Sequence, residues 1–94
     1  MAAATGLKGI WKFAAAGDTL SGVKKISHLV WNQTGGAASD SLIVHDSDGN
    51  IVAEAIADAA EQTIIIPLER RVDGLDVDTM TNGTLMAYEK DAAY

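Results

Sequence analysis

Three carboxylates fall close together at Asp73, Asp76 and Asp78. On an extended chain Asp76 and Asp78 share one face about 7 Å apart, a range at which paired acids serve glycoside hydrolysis. Two histidines, His28 and His45, sit on adjacent predicted strands and could meet in space. Asp46-Ser47-Asp48-Gly49-Asn50 offers closely spaced oxygen ligands, as a calcium loop would. Each group has a plainer reading. An EF-hand loop needs glycine at its sixth position and glutamate at its twelfth, whereas here glycine is fourth and no helical pattern flanks it. Acids that alternate with apolar residues form the solvated face of a strand. Neutral imidazoles fit a sheet face or a subunit contact, and no cysteine is present to complete a zinc site. The sequence contains no Gly-x-Ser-x-Gly elbow, phosphate loop or dinucleotide fingerprint. The expectation is a protein that is not an enzyme, with no catalytic, cofactor-binding or metal-binding residue. Asp76, Asp78 and His45 are the least poor candidates for a small hydrolase.

The elements that would carry these residues are short β-type runs separated by Gly, Asp and Asn. They cover residues 23–31, 41–45, 51–57, 63–68, 75–79 and 84–88. Regular spacing of such runs predicts a small sandwich or barrel. Upstream, Ile10, Trp11 and Phe13 mark a further short strand in residues 7–15. In the first long run Ile26 and Val30 are expected on one side, and Leu29 and Trp31 on the other. Asp48-Gly49 and Asn82-Gly83 carry the signals of tight primed turns. Ala53, Ala55 and Ala57 share one face, which permits close approach of a neighbour; a short helix over residues 53–60 is the alternative. The single proline, Pro67, marks an edge strand or a strand end. Residues 1–6 read as a mobile arm and residues 90–94 as a loose tail unless Tyr94 docks on a partner.

Ninety-four residues make one domain, with residues 1–20 as an arm or peripheral strand and residues 22–90 as the body. The fold class expected is all-β: a small antiparallel β-sandwich or barrel, jelly-roll-like, of six to seven short strands with a flexible N-terminal arm. With no cysteine and so short a chain, oligomerisation is the cheapest remaining source of stability. A formal charge of −6, from 13 acidic and 7 basic residues, argues against general binding to nucleic acid or to anionic membranes. The pairs Lys24-Lys25 and Arg70-Arg71 read as ordinary solvated positions. No export signal and no apolar stretch of spanning length is seen, so residence in the cytosol, or exit by a route other than secretion, is expected.

Two segments resemble small virion proteins of tailed bacteriophages. The first runs from Gly22-Val23-Lys24-Lys25-Ile26 through Val30-Trp31 to Asp40-Ser41-Leu42-Ile43-Val44-His45-Asp46-Ser47-Asp48-Gly49-Asn50. The second runs from Pro67 through Val72-Asp73-Gly74-Leu75-Asp76-Val77-Asp78-Thr79-Met80 to Asn82-Gly83-Thr84-Leu85-Met86-Ala87-Tyr88. The likeness lies in structural turns and core positions. It implies a head decoration or cement protein on the capsid exterior, made in the host cytoplasm, not secreted and without a cofactor. Its implied partners are the major capsid protein and copies of itself, as a trimer or dimer. The alternatives are a tail, neck or fibre component and a host glycan-binding module using Trp31 with Asn32 and Gln33. Contact surfaces are expected at the N-terminal arm with Trp11 and Phe13, at the loop of residues 32–40 led by Trp31, Asn32 and Gln33, and at the edge near Pro67.

Overall fold

The computed structural model describes residues 5–7, 9–33 and 35–90. Residues 1–4 of the expected arm and residues 91–94 of the expected tail, Tyr94 included, lie outside the described residues. The seven strands are β1 (Thr5–Leu7), β2 (Ile10–Phe13), β3 (Thr19–Asn32), β4 (Ser41–His45), β5 (Ile51–Ile56), β6 (Thr63–Met80) and β7 (Thr84–Glu89). All pair antiparallel in the order β1-β2-β7-β3-β6-β4-β5. The described residues contain no helix. The fold is therefore all-β, and residues 53–56 belong to a strand rather than a helix.

Two strands are long, at 14 and 18 residues, and they fold the sheet over. The predicted runs at residues 63–68 and 75–79 are two ends of one strand. The first end of β6 pairs with β3, and its last residues, 76–80, pair with β4. Bulges bend both long strands. Ser21 and Gly22 of β3 oppose Gly74 alone, and Leu68 and Glu69 of β6 oppose Ser27 alone. Extra residues of this kind turn a strand and raise its twist. A flat sheet would be about 10 Å thick with its side chains, whereas the smallest dimension of this body is 22 Å. The two layers of the sandwich are thus the two ends of one unbroken, curled ladder.

One core fills the fold. It takes Phe13 from β2, Leu20, Ile26, Leu29 and Trp31 from β3, and Leu42 and Val44 from β4. Ala53 of β5, Ala57 just beyond that strand, and Val72, Leu75, Val77, Met80, Leu85 and Ala87 of β6 and β7 complete it. Each fully buried large side chain stabilises the fold by about 1.5–3 kcal/mol. The alternation read from sequence holds for Leu42 and Val44, for the alanines of β5, and for Leu75 and Val77. It fails at Ile26. That residue shares the buried face with Leu29 and Trp31, because Ser27 bulges from β3 relative to β7 and shifts the parity by one.

Connectivity brings a second correction. Asn82-Gly83 does not close a hairpin, since β6 and β7 do not pair. β3 lies between them, and the turn carries the chain across its end. The turn of residues 46–50 does close the β4–β5 hairpin. Asp46 organises it: Oδ1 accepts the N–H groups of Asp48 (3.0 Å) and Asn50 (2.9 Å). Residues 10–13 are built into the body, because β2 pairs with β7 along its whole length.

Candidate functional site

The two histidines are held apart. β6 separates β3 from β4, so His28 and His45 are not on neighbouring strands. The His28 ring stacks on Tyr88 across the β3–β7 ladder, with centroids 4.6 Å apart, and its Nδ1 lies 3.0 Å from the Ser27 hydroxyl. His45 ends β4 opposite Asp76. Asp78 is exposed on a bulge and accepts a hydrogen bond from Thr79 at 3.1 Å. Among the described residues no three metal-ligating side chains converge. Asp46 is engaged in its hairpin. The N–H of Asn50 does most to hold its carboxyl below the usual range, with Arg70 among the lesser causes.

The loop of residues 33–40 owes its shape to two side chains. Gln33 is fully buried. Its Nε2 donates to the carbonyl of Ala37 (2.5 Å) and to Asp40 Oδ2 (2.7 Å), while its Oε1 accepts the N–H of Gln62 (3.2 Å). The same Asp40 oxygen accepts the N–H of Ala37 (2.9 Å) and the side-chain amide of Asn82 (2.8 Å). These donors, the Ala37 N–H foremost, hold the Asp40 carboxyl below its ordinary range. Gly36 packs so closely on Gln33 that a Cβ there would lie 2.3 Å from its side chain. The loop is a folded cap over the end of the sheet, and Gln33 is its internal scaffold.

The six residues expected at contact surfaces therefore divide. Phe13, Trp31 and Gln33 are fully buried and cannot meet a partner. Trp31 fills the core and donates its indole N–H to the Asn82 carbonyl at 2.8 Å. A glycan platform of Trp31 with Asn32 and Gln33 is excluded with it. Trp11 is half-buried against the core rim, bonded to Glu89, with the Lys24 ammonium 5.3 Å above its ring. Asn32 and Pro67 are exposed.

Pro67 lies where the sequence placed it, on an edge. Over residues 63–71 β6 has β3 on one side and no paired strand on the other among the described residues. β5 ends the sheet order and pairs only with β4. The most exposed large hydrophobic residues are Val23 (58%), Ile51 (59%), Ile56 (68%) and Ile65 (65%). Ile51 and Ile56 lie on β5, an edge strand, and Ile65 lies on the open half of β6. Sequence reasoning singled out none of them as exposed apolar positions. It also missed that Lys25, Arg70, Arg71 and Lys90 surround one groove. Comparison with family models, with curated proteins and with solved structures finds no match to the chain.

Proposed function

We propose that this chain is a structural virion protein of a tailed phage, decorating and stabilising the capsid shell. The observation that supports the reading best is a pair of open sheet edges, the outer side of β5 and residues 63–71 of β6. The first carries the exposed Ile51 and Ile56 and the second Ile65, on a body with one continuous core. An open edge flanked by apolar side chains accepts an extended segment of another chain: backbone hydrogen bonds give affinity and alternate side chains give register. In this reading the segment comes from the major capsid protein, and copies of the protein associate with one another on the shell.

The mechanism is mass action. A protein that binds only the assembled shell stabilises it, by about 2.7 kcal/mol per site when its free concentration is 100 times its Kd. Many weak sites then add. The test is co-sedimentation of the purified protein with capsids that lack it. Saturation at hundreds of copies per shell, with added resistance to heat or chaotrope, is the expected result. Absence of binding at high protein concentration overturns the reading and directs attention to tail, neck and fibre assemblies.

A further inference from the structure

Four of the seven basic residues line one groove: Lys25, Arg70, Arg71 and Lys90, with Glu69 the only acid among the described lining residues. The groove is open and holds about 270 Å³. The convergence runs against the charge of the chain as a whole, which is −6. Backbone geometry produces it. Lys25 and Arg71 stand directly opposite each other in the β3–β6 ladder, and like charges so placed are destabilising when nothing lies between them. Lys90 is brought alongside because its N–H donates to the Lys25 carbonyl at 2.8 Å.

Arg70 and Arg71 are neighbours in a strand, and on a regular strand they would point to opposite faces. Both line the groove because β6 is bulged immediately before them. Leu68 and Glu69 share one partner, and Glu69 has a φ of 50°. That left-handed conformation is unfavourable for a non-glycine residue, and bulges re-aim the side chains beside them. Glu69 itself reaches Lys90 at 3.1 Å, with both side chains about half exposed, so the pair is weak and readily exchanged.

We propose that this groove binds a compact, multiply charged oxyanion: a phosphoryl group, as inorganic phosphate or on a small phosphomonoester. Two guanidinium forks match phosphate oxygens in pairs, and two ammonium groups add point charges. The described lining residues carry a net charge of three positive units, which suits an anion of charge two or more. The ligand must be compact. Outside the groove the chain has 12 acidic and 3 basic residues, so a long polyanion would be repelled wherever it left the site.

The experiment is an amide-resolved NMR titration at low, matched ionic strength. The probes are inorganic phosphate, pyrophosphate, a nucleoside monophosphate and acetate. Saturable shifts at Lys25, Arg70, Arg71 and Lys90 are expected, stronger for the phosphates than for acetate. Loss of one charge-assisted partner in K25Q or R71Q should weaken phosphate binding about 5-fold or more, and E69Q, which removes the competing carboxylate, should tighten it about 2-fold. The same spectra report that the exposed substitutions leave the fold intact. Tighter binding of the monophosphate than of phosphate assigns the site to a phosphomonoester, and equal binding assigns it to free phosphate. Acetate binding as well as phosphate, shifts spread equally to Lys12 and Lys24, or a single-stranded oligonucleotide binding more tightly than pyrophosphate would each overturn the proposal.

Discussion

Trp31, Gln33 and Asp40 hold the end of the sheet where β3 leaves it. Trp31 combines full burial with an indole hydrogen bond to Asn82, so two different truncations separate its two roles. W31F keeps most of the volume and removes the donor. It should cost about 1–3 kcal/mol, the usual effect of leaving a buried polar group without its partner. W31A also opens a cavity and should cost about 3–5 kcal/mol. Urea unfolding checks both, and a change within about 0.5 kcal/mol would mean an exposed tryptophan. Q33A should cost about 1–3 kcal/mol, because it strips donors from Ala37 and Asp40 together. Asp40 adds a pH dependence of known sign. Its folded pKa lies below the unfolded value, so its contribution is present above about pH 4 and fades as pH falls through the folded pKa. The urea midpoint of the wild-type protein should drop on acidification below pH about 4. D40N should start lower at neutral pH and show a flatter acid limb. An identical acid limb in both proteins would remove Asp40 as its source.

At the scale of elements, turns and strand faces were legible in the sequence because their causes are local. Asp46-Ser47-Asp48-Gly49-Asn50 closes its own hairpin through its own side chains, and Leu75 and Val77 alternate with Asp76 and Asp78 within five residues. Strand pairing was not legible. That β3 separates β6 from β7 depends on residues over fifty positions apart, such as Trp31 with Leu85. The bulges were hidden for the same reason. Nothing in Ile26-Ser27-His28 announces that Ile26 turns inward, and nothing in Glu69-Arg70-Arg71 shows that both arginines line one groove with Lys25. The two glycines read as turn signals consequently differ in role. Gly83 has a φ of 88°, and a Cβ there would lie 2.0 Å from the Asn32 carbonyl oxygen; Gly49 has a φ of 86° with open space around it. G49A should therefore cost only the left-handed conformation, about 1–2 kcal/mol. G83A must also displace backbone of β3, and at well above 3 kcal/mol it would fall in the range kept for severe packing or strain defects. Equal losses for the two variants in thermal or urea unfolding would show that the crossing turn has room to relax.

At the scale of the whole molecule, the curled sheet leaves several edges unpaired among the described residues: the outer sides of β1 and β5, which end the sheet order, and residues 63–71 of β6. Closing a sheet on itself would remove such edges. The β5 edge carries the exposed Ile51 and Ile56; the open half of β6 carries Ile65 and is interrupted by Pro67, which donates no hydrogen bond to an added strand. An added strand would therefore bind on either side of Pro67 rather than through it. Stability and association can be separated here, because Ile65 and Ile56 are largely outside the core. I65K and I56K should leave the urea midpoint nearly unchanged, within about 0.5 kcal/mol for such surface positions. Edge lysines oppose strand addition, so the same variants should lose self-association in sedimentation velocity and lower the number of copies bound per shell. If association and shell binding survive both substitutions, these edges are not the contact surface. If stability falls with them, the isoleucines belong to the core in solution.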